Sequence, residues 1–254
     1  ISAGAQKLTL GYLYPAGGEA GSTVEIEAGG LNINKATKVI FSHPGIRGEV
    51  IPYVEQKTVK KKRLNDQSSP QLADKVKIKV SIASDVPCMM YDLRFQSPQG
   101  VSNMLPFEVA SYPDFLESGK STLEKPDEVG LPAVICGQAT PGGVASVKGR
   151  ALVPYIADAV PGWFQPVIKI VDSKGTEIAY SDDYLYNVDP VIITQLPEDD
   201  DYTLMIHDAI YRGRQDFNYR IQLGVIPFVT GRYPAYGVVG KKVKQHVAGV
   251  NLNG

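Results

Sequence analysis

Polar and apolar residues alternate with a period of two along most of this chain. Val24, Ile26 and Ala28 interleave with Glu25 and Glu27, and Val76, Ile78, Val80 and Ile82 with Lys77, Lys79 and Ser81. Tyr91, Leu93 and Phe95 enclose Asp92 and Arg94, and the rhythm returns in Tyr202, Leu204 and Ile206. It appears again in Phe217, Tyr219, Ile221 and Leu223, which alternate with Asn218, Arg220 and Gln222. Neighbouring side chains on a strand point to opposite faces, so each segment offers one face to a core and one to water, as antiparallel sheets require. Helical periodicity is nearly absent. Turn residues punctuate the strands at short intervals, as in Pro98-Gln99-Gly100, Ser173-Lys174-Gly175 and Pro197 with the acidic run Glu198 to Asp201. Many short strands separated by such turns predict an all-β fold of tandem β-sandwiches.

Boundaries are predicted where the alternation breaks. An alternating strand ends at Val109 and meets Tyr112-Pro113-Asp114, and another ends at Leu223 and meets Val225-Ile226-Pro227. The expected units are therefore residues 1–111, 112–225 and 226–254. The polar stretch Leu116 to Val129 reads as a linker or lead-in strand.

A repeat sharpens this division. Laid without gaps at an offset of 219 positions, Tyr14 to Ile33 and Tyr233 to Leu252 agree at eight of twenty positions, where ordinary residue frequencies supply about one or two. The shared residues begin Tyr-Pro-Ala and continue through Gly18/Gly237, Gly21/Gly240, Val24/Val243, Gly30/Gly249 and Asn32/Asn251. The second copy predicts that a further module opens at residue 226 within a longer modular protein, with Lys241-Lys242-Val243 as a strand short of partners. A lone strand does not fold by itself, so this unit is expected to lean on the second one or on a neighbouring chain.

Composition narrows the function classes. Lys and Arg number 26 against 27 Asp and Glu, which leaves no net field to draw nucleic acid or an anionic membrane. No apolar run approaches the ~20 residues that span a bilayer. The basic run Lys57 to Arg63 has no interleaved aromatics and reads as a solvated loop, with contact to acidic polysaccharide as the alternative. Cys88 and Cys136 are too few for a disulfide scaffold; the favoured reading is two buried thiols, with a bridge left open. Ala3-Gly4-Ala5 has the A-x-A form that precedes signal-peptidase cleavage.

Two family resemblances follow from local motifs. Tyr14-Pro15-Ala16-Gly17-Gly18, Gly21 to Ile26, Gly29 to Asn32, Ala36 to Phe41, Asp85-Val86-Pro87 before Tyr91 to Arg94, and Gly100-Val101-Ser102-Asn103 resemble the Ig-like modules called IPT/TIG. Ala151 to Phe164, Lys169 to Ala179, Asp182-Asp183, Tyr202 to Asp208, Tyr211 to Arg214 and Asp216 to Arg220 are similar to the bacterial pre-peptidase C-terminal domain. That second resemblance implies a jelly-roll-like sandwich with no catalysis of its own, carried by secreted bacterial enzymes and surface proteins. Family members have two strands and an Asp-rich segment ahead of the counterpart of Ala151, where this chain has only Gly142 to Arg150. A jelly roll needs about eight strands, so a unit short of two strands is expected, either trimmed or partly outside the sequence.

Catalytic signatures are missing. His43, His207 and His246 form no H-E-x-x-H pair, and neither a G-x-S-x-G elbow nor a P-loop occurs. His207 and Asp208 are neighbours on a strand and point apart. The candidate binding residues are Trp163, whose ring could stack on a ligand or serve the core; Arg212 and Arg214, which could face an anion or hold a loop through a carboxylate; and Asp182 and Asp183. Together with Asp199 to Asp201, the last pair raises calcium, which gathers six to eight oxygens, against a plain reading as solvated turn acids. The ligand pattern implied by the family is not matched in Leu116 to Val129. The expectation is a non-enzymatic secreted, periplasmic or cell-surface protein for adhesion, spacing or binding of an extracellular carbohydrate or protein. It would act beside further domains of the same polypeptide and without nucleic acid. The alternative is an accessory region of a secreted hydrolase, such as a protease, whose catalytic domain lies elsewhere.

Overall fold

A computed structural model describes residues 7–52, 72–122, 124–139, 145–148, 152–154, 164–185 and 189–252. These form an all-β protein of tandem sandwiches. The first carries β1 (Thr9–Tyr14), β2 (Gly17–Glu19), β3 (Thr23–Leu31), β4 (Lys38–Phe41), β5 (Ile46–Ile51), β6 (Asp74–Ile82), β7 (Met90–Ser97), β8 (Gly100–Val101) and β9 (Leu105–Ala110). One of its sheets runs β1-β3-β6-β5; the other runs β2-β9-β7-β4, with β8 beside β7. The alternation read from the sequence is the inward face: Ile26, Ala28, Ile78, Val80, Leu93, Phe95 and Phe107 lie in one buried cluster.

The second sandwich carries β10 (Asp114–Leu116), β11 (Asp127–Glu128), β12 (Ala133–Gln138), β13 (Ala145–Lys148), β14 (Leu152–Pro154), β15 (Pro166–Val171), β16 (Glu177–Ser181), β17 (Thr203–Asp208) and β18 (Asn218–Leu223). Its sheets run β10-β12-β18-β14 and β11-β13-β17-β15-β16. Ile135, Ile168, Ile170, Leu204, Ile206, Ile221 and Leu223 pack between them. Between Pro141 and Ala151 the described residues hold one strand, β13. The lead-in stretch Leu116 to Val129 contributes one short strand, β11, and β10 ends where it begins; each runs parallel to its neighbour.

A terminal hairpin follows, β19 (Phe228–Tyr233) with β20 (His246–Val250). The strand expected at Lys241 to Val243 is not formed, and β20 begins only at His246. Among the described residues β20 pairs with β19 alone, and a strand paired on one side holds its ends less firmly in the extended form. The hairpin does lean on the second sandwich: the Phe228 ring lies 5.8 Å from that of Tyr184, edge to face, and Ile226 is buried.

Both cysteines are free thiols; Cys136 is buried but Cys88 is exposed, which corrects the reading of two buried thiols. Cys88 follows Pro87 ahead of β7, outside the alternating stretch that would have turned it inward. No helix among the described residues is long and apolar enough to cross a membrane.

Candidate functional site

Strand β18 brings the polar chemistry of the molecule together. Tyr219, Ile221 and Leu223 point into the second core, so Asn218, Arg220 and Gln222 occupy the opposite face. That face is largely shielded from water, Asn218 and Arg220 being buried. It is pressed against β9 of the first sandwich, whose own non-core residue there is Glu108. Arg220, only 3% exposed, donates through Nε to Glu108 Oε2 at 2.6 Å, and Gln222 Nε2 donates to Glu108 Oε1 at 2.6 Å. Asn218 Nδ2 reaches the Leu13 carbonyl at 3.3 Å. Arg220 Nη1 contacts Cys136 Sγ at 2.9 Å, and Nη2 lies 2.6 Å from Asp114 Oδ1. That last contact is an ion pair. Tyr219 donates its hydroxyl to Glu117.

Gly17 makes this approach possible, because a Cβ there would sit 2.4 Å from the Glu108 carbonyl oxygen and 2.6 Å from Arg220 Nε. Burial pushes the Cys136 thiol up to about 12 despite the adjacent guanidinium. Burial, then the charges of Cys136 and Glu117, push Tyr14 up to about 12. Asp114 is raised by burial, with Arg220 pulling the other way. Such a cluster adds little stability over an apolar one, but it is costly to break and it fixes geometry. The cavity beside it, about 50 Å³ and lined by Tyr12, Pro106, Glu108 and Asn218, has room for a few waters and for no larger ligand.

The sequence-predicted binding residues lie elsewhere. Trp163 and the basic run Lys57 to Arg63 are outside the described residues. Arg212 and Arg214 stand in the connection between β17 and β18, each against a carboxylate. Arg212 Nε and Nη2 donate to Asp208 Oδ1 and Oδ2, both at 2.9 Å, and Arg214 Nε and Nη2 to Asp216 at 2.8 and 2.7 Å. Both guanidinium groups lie over the Phe217 ring, at 5.5 and 5.7 Å, and that ring stacks on Phe164. The backbone amides of Gln165, Ile210 and Arg212 also donate to Asp208. Burial would raise Asp208, but the hydrogen bonds from Arg212 and these amides hold it below the usual carboxylate value. The two arginines thus serve the loop. Asp182 and Asp183 follow β16, which β15 separates from β17 in the sheet. Asp182 stands beside Tyr180, and the Asp183 carbonyl accepts from Ser181 Oγ at 2.9 Å.

Asp208 also shapes a feature that no motif announced. It holds Tyr211 in the left-handed region, at φ 58°, and the Tyr211 ring lies flat on that of His207, 4.5 Å between centroids and 7° between planes. The outer face of Tyr211 is open to solvent, the residue being 52% exposed. At the far end of the sandwich an open groove of about 700 Å³ runs between Glu124, Lys125 and Glu128 on one side and Asp172, Lys174 and Asp201 on the other. Asp172 accepts from the amides of Lys174 and Thr176, and Asp200 from Ser173. Among the described residues no three His, Cys, Asp or Glu side chains gather as a metal would need. His43 is a turn residue whose Nδ1 accepts from the Gly45 amide at 3.1 Å.

No family model matches the chain, and no curated protein does. The solved structures similar to it at a low level include these two. One is the Bacteroides ovatus protein SGBP-B of a mixed-linkage glucan utilization locus, in complex with a mixed-linkage heptasaccharide: TM-score 0.25 and 12% identity over 88% of this chain and 46% of that one. The other is titin A168–A169, with TM-score 0.17 and 17% identity over 79% and 80% of the two chains. The chain spans less than half the length of the glucan-locus protein.

Proposed function

We propose that this chain is a non-enzymatic, extracellular or cell-surface module that holds binding surfaces at a fixed separation. Its parts on this reading are an IPT/TIG-like unit over residues 1–111, a pre-peptidase-C-like unit over 112–225, and the opening of a further Ig-like unit from 226. The observation that carries the proposal is the buried Arg220 knot to Glu108 and Asp114. A flexible tether between independent units has no use for a desolvated guanidinium with two carboxylates, whereas a rigid spacer does. The ligand is a carbohydrate or protein met outside the cell. The Tyr211 face stacked on His207 suits the C–H face of a sugar ring, since an aromatic face offers apolar area at low entropic cost.

Spin labels placed on β5 and β16, read by pulsed electron resonance, test the spacer. One narrow distance distribution is expected, and a broad one refutes rigid spacing. For the ligand, titration with soluble β-linked glucose, galactose and mannose oligosaccharides should give binding that Tyr211→Ala abolishes. Binding untouched by that change refutes the platform, and hydrolysis of any of these sugars by the purified chain refutes the non-enzymatic reading.

A further inference from the structure

The terminal hairpin reproduces the strand pairing of the opening hairpin of the first sandwich over residues 228–233 and 246–250. The pairs Leu10↔Gly30, Leu13↔Ala28 and Tyr14↔Glu27 of β1 and β3 become Val229↔Gly249, Arg232↔Val247 and Tyr233↔His246 in β19 and β20, with the ladder irregularity at the same step. A Cβ on Gly30 would lie 2.1 Å from the Thr9 carbonyl oxygen, and one on Gly249 would lie 2.1 Å from that of Phe228. Asn32 and Asn251, at φ 59° and 55°, donate from Nδ2 to the Lys7 and Ile226 carbonyls, each at 3.1 Å.

The surroundings differ. In the first copy the second edge of β3 carries β6, paired from Thr23↔Ser81 to Gly30↔Asp74, and Leu10 and Ala28 are wholly buried. Among the described residues β19 and β20 form a sheet of two strands. Val229, Val243 and Val247 are left 51%, 42% and 50% exposed, where Leu10 and Ala28, the equivalents of Val229 and Val247, are buried, and exposed apolar positions of this kind mark interaction sites.

The charges on that edge say what covers it. In the first copy Glu25 and Glu27 face Lys79 and Lys77 across the ladder, and Lys75 Nζ closes on Glu27 at 2.6 Å. The equivalents of Thr23, Glu25 and Glu27 are Lys242, Lys244 and His246, so the sign is reversed. Opposite charges across a ladder stabilise the pairing, and like charges oppose it. We propose that the open edge of residues 242–250 takes up an antiparallel strand in which apolar side chains alternate with carboxylates. Such a strand stands where β6 stands in the first copy. Strand β6 of a second copy is disfavoured, because in the same register its Lys79 and Lys77 would stand opposite Lys244 and His246. The inference extends the reading that a further unit opens at residue 226.

Two labelled nine-residue peptides added to the full chain test it. One has the β6 sequence, Asp74–Ile82; the other is the same peptide with Lys75→Glu, Lys77→Glu and Lys79→Glu. Fluorescence anisotropy should show the glutamate peptide binding about tenfold or more tightly, the joint effect of several cross-strand charge pairs. Amide exchange should slow across residues 243–250 when it binds. The triple variant K242E/K244E/H246E should reverse the preference. Equal affinity of the two peptides, no binding of either at millimolar concentration, or an unchanged preference in the triple variant would each overturn the proposal. So would self-association of the chain through this edge in sedimentation. None of these results bears on the spin-label distance, so the failure of this inference and that of the rigid-spacer reading are separable.

Discussion

Replacing Arg220 by Met removes the cation at the centre of the junction while keeping much of its volume. The guanidinium is 3% exposed and lies 2.6 Å from both Glu108 and Asp114, so the variant leaves two largely buried carboxylates without their cation. Glu108 retains Gln222 as a donor, but nothing replaces the charge. Breaking a buried pair from one side costs about 3–5 kcal/mol, a large part of the stability of an ordinary domain. The loss should depend on pH. Asp114 is already raised above its ordinary 3.8 by burial, with Arg220 opposing, and without Arg220 it rises further. A carboxylate raised in the folded state binds more protons there than in the unfolded chain. Stability therefore falls as pH climbs from the unfolded value through the folded one. The penalty of R220M should accordingly be largest near pH 7–8 and shrink toward pH 4. Urea unfolding of wild type, R220M, E108Q and the double variant at both pH values measures it. The cycle should give a coupling of roughly 1–3 kcal/mol between Arg220 and Glu108 at neutral pH. A cost for R220M below about 0.5 kcal/mol, the range of inert surface changes, would refute the reasoning, as would a penalty that grows on acidification.

Further outcomes follow from the same contacts. Asp208→Asn should cost about 2–3 kcal/mol through the loss of charged hydrogen bonds to Arg212, seen as a lower melting temperature and faster amide exchange over residues 209–214. Because the folded Asp208 is held below its ordinary 3.8, its contribution is complete above that value and is lost as pH falls through the folded one, so wild type and D208N should converge in acid. A thiol reagent should titrate one cysteine, Cys88, in the native chain and two after denaturation, since Cys136 is buried and pushed up to about 12. Phe217→Ala should cost about 3–5 kcal/mol, as for other buried aromatics, because the ring is fully buried against Phe164 and beneath both arginines. Gly17→Ala should widen the spin-label distance distribution without abolishing either sandwich, the new methyl falling between β2 and Arg220.

Much of the architecture was legible in the chain itself. Alternation along Val76 to Ile82 or Phe217 to Leu223 is a property of the strand, since each strand must place its apolar residues on one side. It named the core residues and the all-β sandwich class before any coordinates. The repeat of Tyr14 to Ile33 was equally local: Gly30, Gly249, Asn32 and Asn251 recur because the same backbone path leaves room for nothing else. The site was far less legible. A period-two pattern separates the two faces of a strand but does not say what the second face meets, so Asn218, Arg220 and Gln222 read as a wet face like any other. Arg212 and Arg214 drew attention for their charge, yet their carboxylates stand within four residues and bind them into the loop. Tyr211 takes its place as a stacked ring only because Asp208 turns the chain and His207 lies beneath it. The sequence by itself determined which side of each strand is apolar, because that is set by neighbours along the chain. Only the tertiary structure decided that the polar side of β18 lies against Glu108 and not against water, because desolvation and pairing depend on residues 112 positions apart, whose approach no local periodicity records.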